Sequence, residues 1–191
     1  MSYPILQDVK NYLGISGTDD DFLLGLQLTQ AISIVESKTG RTFVCTADSS
    51  KTFYSDNRAI VNRRKFLLYD DLCALTSLTI NGNAIASNKY RTDSDTPYGA
   101  IELFPTSDYF FEDYSTTEDP SSFVIVGRWA YSIDCPRDVF GAILRLTAFL
   151  YHQKDNAADY DRPVAFSNTL ELSSSLPTDV VEILKKYERI F

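Results

Sequence analysis

The hydrophobic period changes twice along this chain, and that change constrains the fold more than any other feature. Near both ends apolar residues recur every three to four positions, the period of a helix; in the middle they alternate, the period of a strand. Leu6, Val9 and Leu13 share a stripe after Pro4, whose missing N–H suits a first helical turn, and Gly14 breaks the run. A short helix is predicted over 4–13. A second is predicted over 19–39. Thr18 or Asp19 can cap it, and Asp20 and Asp21 sit at the positive end of its dipole. Leu24, Leu28, Ala31, Ile32 and Val35 recur at helical spacing, and Gly40 stops the helix.

From Thr42 to Ser132 the pattern is that of strands. Thr42–Thr46 and Lys51–Tyr54 are short candidates, and Tyr90 and Ile101–Phe104 are further pieces. Leu78-Thr79-Ile80 runs into Asn81-Gly82, the strongest short hairpin signal. Phe123–Tyr131 is the clearest strand, with Phe123, Ile125, Trp129 and Tyr131 on one face. Residues 106–122 read as a loop or extended arm that mixes five acids with Tyr109, Phe110, Phe111 and Tyr114 and has no Lys or Arg. A third helix is predicted from Pro136 to Gln153, with Asp134 as a cap. Its apolar residues cover most of the circumference, as in the central helix of a bundle. Residues 156–175 are polar and read as irregular. A fourth helix is predicted over Thr178 to Arg189, acids early and Lys185, Lys186 and Arg189 late. The layout predicts a mainly α fold: an antiparallel bundle of about four helices, with a β-hairpin or small sheet between the second and third. One domain is expected over 1–191, with a β-rich insertion at 42–132.

Little in the sequence suggests chemistry. His152 stands alone among 191 residues, at a helix end where a cation favours the dipole, and no nucleophile motif accompanies it. Cys45, Cys73 and Cys135 are far apart, form no C-x-x-C pair and read as reduced thiols. Asp93 to Gly99 faintly resembles a calcium loop, but Pro97 occupies a ligand position and the glycine comes one place late, so a turn is expected. No catalytic, cofactor or metal site is expected. No apolar run approaches a membrane span, and the first residues lack a secretion pattern. The net charge of −8 disfavours gripping DNA by its phosphates.

The order of these elements, and the residues at their ends, resemble the head–tail connector family of tailed phages, also called head-completion or portal-adaptor proteins. The first match is Val9-Lys10-Asn11-Tyr12-Leu13-Gly14-Ile15, then Asp20-Asp21-Phe22-Leu23-Leu24, then Ala31, Glu36 and Thr39-Gly40-Arg41-Thr42-Phe43. Leu75 to Gly82 is similar to the family hairpin. Pro136, Asp138, Ala142, Leu146 and Tyr151 follow, and Leu176-Pro177 precedes a closing helix ending Lys-Tyr-x-Arg. Residues 104–122 and 154–175 are longer than in compact members. The resemblance implies a structural virion protein of the neck, made and assembled in the host bacterial cytoplasm. It implies a ring, typically dodecameric, between the portal and the stopper or tail proteins. DNA passes through the bore without specific binding, and no membrane or enzymatic activity is involved. Rivals are another neck protein, such as a stopper or tail-completion subunit, and a small nucleic-acid-binding module.

Two surfaces are candidates for contacts. Tyr109, Phe110, Phe111 and Tyr114, with Arg63 and Arg64 of the basic run, can form a subunit interface; the alternative for the aromatics is a flap folded over the core. For the basic run the alternatives are a solvated face and contact with nucleic acid. Ile183, Leu184, Tyr187, Ile190 and Phe191 can dock the last helix on the portal; the alternative is that this helix completes its own bundle.

Overall fold

The fold was analysed in a computed structural model, which describes residues 2–54, 59–93, 95–111, 122–153 and 176–189. The chain divides into two compact units. One comprises Met1–Arg41 with Cys135–Phe191, and the other is Thr42–Asp134.

The first unit holds the four expected helices: α1 (Leu6–Leu13), α2 (Asp21–Thr39), α3 (Arg137–Gln153) and α4 (Thr178–Tyr187). Gly14 and Gly40 end α1 and α2 in the left-handed conformation, at φ 71° and 64°, as their places in the sequence predict. At the start of α1 the Ile5 amide donates to the Asp8 carboxylate at 2.9 Å. The caps proposed for α2 are not used: its N-cap is Asp20, which makes no capping hydrogen bond. Leu24, Leu28, Ala31 and Val35 of α2 are buried, as are Val139, Ile143 and Leu146 of α3, and the two helices pack together. Val9 of α1 and Val180, Leu184 and Tyr187 of α4 complete this core. Polar ties fix the ends. Tyr151 donates to Asp20 at 2.7 Å, Lys10 meets Asp21 at 2.7 Å, and Arg41 donates to the Tyr187 carbonyl at 2.7 Å. Burying a stem such as that of Lys10 is tolerable because its ammonium stays paired.

The second unit overturns the expected fold class. In place of a hairpin on a mainly helical bundle there are two four-stranded antiparallel sheets. Their strands are β1 (Ser49–Tyr54), β2 (Ile60–Val61), β3 (Lys65–Leu67), β4 (Ala74–Ile80), β5 (Asn83–Ile85), β6 (Tyr90–Thr92), β7 (Ala100–Leu103) and β8 (Ser122–Arg128). One sheet has the order β1-β8-β4-β5 and the other β2-β3-β7-β6. The helical stripes dominated the sequence pattern because they are long. Most of these strands span only two to four residues, too short to show an alternation. Pairing between distant segments makes them strands; β3, for example, pairs with β7 across Phe66 and Ile101.

The expected hairpin is present. β4 and β5 join through Asn81 and Gly82, at φ 48° and 77°, the two left-handed residues of a type I′ turn. β8, the central strand of its sheet, alternates along its whole length, with Phe123, Ile125 and Gly127 inward. Side chains of both sheets meet in one apolar cluster that includes Phe66, Leu78, Ile80, Ile101, Leu103 and Phe123. Phe66 meets Phe123 edge-on with ring centroids 4.9 Å apart, and Phe53 lies 4.8 Å from Phe66. Such aromatic pairs add about 0.5–1.5 kcal/mol each beyond area burial.

Candidate interaction surfaces

The basic run and the aromatic arm, read separately in the sequence, come together. The loop of the β2–β3 hairpin is Asn62-Arg63-Arg64, with Asn62 and Arg63 left-handed at φ 52° and 60°. Both guanidinium groups lie over the Phe110 ring, Arg63 at 4.5 Å and Arg64 at 4.3 Å from its centroid. Arg64 also donates to the Phe104 and Ser107 carbonyls, at 2.7 and 3.3 Å. The Phe111 amide donates to the Arg63 carbonyl at 2.9 Å, and the Phe111 ring is fully buried against Phe66 and Phe123. Phe110 is half-buried and Tyr109 is exposed. Residues 104–111 thus cover the β unit, with Tyr109 facing solvent. Tyr114 lies outside the described residues.

The last helix is held by its own unit. Leu184 and Tyr187 are buried and Ile183 is half-buried. The Tyr187 hydroxyl donates to the Asp138 carboxylate at 2.7 Å. Lys186 pairs with Asp138 at 3.1 Å, and Arg145 of α3 pairs with Asp179. Burial raises the Asp138 pKa, but the hydrogen bonds from Tyr187 and Lys186 outweigh it and hold the carboxyl below its usual range. Glu182, Lys185 and Lys186 form the exposed side of α4. A groove lined by Lys38, Leu176, Val181, Leu184, Lys185 and Glu188 lies between α4 and the end of α2. Ile190 and Phe191 lie outside the described residues.

One surface was missed. The sequence reading followed the buried stripe of α2 and ignored its opposite face, where Phe22 is 86% and Leu26 55% exposed. The signal was available: α2 is apolar around most of its circumference, more than one buried stripe requires.

No group of three His, Cys, Asp or Glu side chains that could hold a metal occurs among the described residues. The exposed His152 ring lies edge-on to Tyr151 at 5.6 Å. Asp93 accepts from the Gly99 amide at 3.0 Å and so folds back on its own turn. Burial raises the thiol pKa values of Cys73 and Cys135, that of Cys135 to about 11. No helix among the described residues is long and apolar enough to cross a membrane.

Residues 4–74 match the family model of phage gp6-like head-tail connector proteins. The resemblance to the phage head–tail connector family is borne out. The matched stretch runs from α1 through α2 to the start of β4 and includes the Asp20-Asp21 and Thr39-Gly40-Arg41 signatures. Two solved structures share this chain's fold over nearly its whole length. One is a chain from the neck of an empty GTA particle computed with C6 symmetry: TM-score 0.62, 13% identity, 98% of this chain and 90% of that chain covered. The other is from the neck of a native GTA particle computed with C12 symmetry: TM-score 0.55, 13% identity, with 97% and 88% covered. No curated protein matches the chain.

Proposed function

We propose that this chain is a structural virion protein of the phage neck, a ring-forming adaptor that joins the portal to the stopper or tail and gives DNA a conduit. The observation that carries this reading is the fold shared over 98% of the chain with a neck protein from a symmetric particle, together with the family match at the N-terminal end. The charge is consistent with it. An acidic chain does not bind the genome by counterion release, so DNA can slide past it. The candidate surfaces fit structural contacts better than chemistry. Within this reading Tyr109 and its supporting arginines are offered as part of a contact between copies. Portal docking by the last helix falls to Ile183 and its exposed neighbours rather than to Leu184 and Tyr187, which are buried inside the unit.

Electron microscopy of the purified protein, alone and mixed with the portal of the same phage, tests the proposal. Rings that seat on portals support it. A protein that forms no ring in either setting, or that binds duplex DNA tightly with strong salt dependence, overturns it.

A further inference from the structure

We infer that the outer face of α2 is where one copy of the connector packs against the next, an inference that rests on the ring reading above. Residues 22, 26, 29 and 33 fall on one stripe of the helix, opposite buried Leu24, Leu28, Ala31 and Val35. That stripe is Phe22, Leu26, Thr29 and Ser33, and all four side chains are exposed. Phe22, the most exposed large apolar side chain described, stands in water at 86% exposure.

The charge pattern identifies the occupant. Charged residues make up 23% of the chain, yet Asp19 is the only exposed charged residue between Ser2 and Ser37. The exposed side of α4, by contrast, carries Glu182, Lys185 and Lys186. A different protein could be met through complementary charge. A second copy brings the same net charge of −8, so the general fields repel and a contact face without acids adds nothing to that repulsion. Self-contact therefore favours a face with nearly no charge, apolar anchors and short polar side chains. The outer face of α2 has that composition. Gly25, Thr29 and Ser33 are short enough for a neighbour to approach the helix closely, with Phe22 and Leu26 as anchors. From Phe22 to Ser33 the stripe is about 17 Å long and about 10 Å wide. It is smaller than the roughly 800 Å² that each partner gives to a stable interface, so it forms the centre of the contact rather than all of it. In a head-to-tail ring it meets a different surface of the neighbouring copy.

Sedimentation velocity over a wide concentration range tests this with the full chain. The wild type is compared with Phe22→Asp/Leu26→Asp and, as a control for added charge, Tyr69→Asp, at an exposed side chain of the β unit. The wild type and the control sediment as the same multi-subunit species. The double variant sediments as a single subunit, its self-association weakened by about a hundredfold or more, with unchanged far-UV circular dichroism and thermal midpoint. Should the double variant unfold, Phe22→Ser alone is read in the same way. A folded variant that assembles like the wild type overturns the inference and leaves the ring reading standing. Loss of assembly in the Tyr69 control as well would trace the effect to charge in general and also overturn it. A wild type that stays a single subunit at every concentration overturns this inference, and the ring reading falls with it only if no ring forms on the portal either.

Discussion

Gly127 is where the structure predicts the sharpest response to one added carbon. It lies next to the end of β8, paired with Ser49 of β1 on one side and Leu75 of β4 on the other. A Cβ there would fall inside van der Waals contact of the Ala74 carbonyl oxygen and 2.9 Å from the Leu72 side chain. The oxygen belongs to a backbone held in the ladder, beside the register shift between Leu75 and Ser77, and it cannot swing away. Overpacking of this kind costs about 1–3 kcal/mol. Displacing a ladder hydrogen bond adds about 0.5–1.5 kcal/mol. Gly127→Ala should therefore lose about 2–4 kcal/mol. Gly141→Ala is the matched control: it is a glycine inside α3 with no atom within 4 Å of an added Cβ. The same carbon there should gain about 0.5–1 kcal/mol by relieving the helix of glycine. Urea unfolding is followed by fluorescence of the single tryptophan, Trp129, which reports on the β unit, and by circular dichroism at 222 nm for the helices. A Gly127→Ala protein within about 0.5 kcal/mol of the wild type would refute the close approach of β8 to β4.

Further outcomes follow from the same packing. Leu146→Ala, at a fully buried position of α3, should cost about 2–5 kcal/mol in the same melts; a loss under about 0.5 kcal/mol would remove α3 from the core. Tyr187→Phe should cost about 0.5–1.5 kcal/mol and move the Asp138 pKa back up, read by carboxyl NMR titration. Because the folded Asp138 carboxyl is held below the ordinary aspartate range, its stabilisation is present above that range and is lost as the pH falls through the folded pKa, so acid unfolding of Tyr187→Phe should begin at higher pH. A thiol reagent at mildly alkaline pH should modify partly exposed Cys45 first, with buried Cys73 and Cys135 protected until urea unfolds the chain; equal rates for all three thiols would contradict the burial.

What was legible in the sequence was local. Helix ends follow from Gly14 and Gly40, the buried stripes from spacing, and the β4–β5 turn from Asn81-Gly82; each depends on residues within a few positions of one another. The sheets were less legible because their order joins strands far apart in sequence. β8 sits between β1 and β4, so Phe123 faces Phe53 on one side and Ile80 on the other, across about 70 and 43 positions of chain. No window of a few residues contains that information. A bundle with a hairpin was therefore expected where two sheets stand. The exposed face of α2 was missed for a different reason. Spacing picked out one stripe and left the other side unread, and Phe22 and Leu26 show that a helix apolar on two faces has one to spare.

The arm and the basic run show how long-range pairing changes the meaning of residues that were correctly noticed. In sequence, Arg63-Arg64 read as a subunit contact, a solvated face or a nucleic-acid contact, and Tyr109-Phe110-Phe111 as a subunit contact or a flap over the core. β3 pairs with β7, and the chain leaving β7 returns past the β2–β3 loop. The left-handed backbone at Asn62 and Arg63 turns that loop so that both guanidinium groups lie over Phe110. The two left-handed non-glycine residues cost about 1–2 kcal/mol each, the asparagine least. Two cation–π contacts of about 0.5–1 kcal/mol each, with the hydrogen bonds from Arg64 to the Phe104 and Ser107 carbonyls, offset this cost. Much of each patch is thus the other's partner within one subunit. What is left for a neighbour is the exposed Tyr109 ring, held on a segment tied down on both sides, and a rigid, pre-positioned aromatic of that kind loses little entropy when a second surface closes over it.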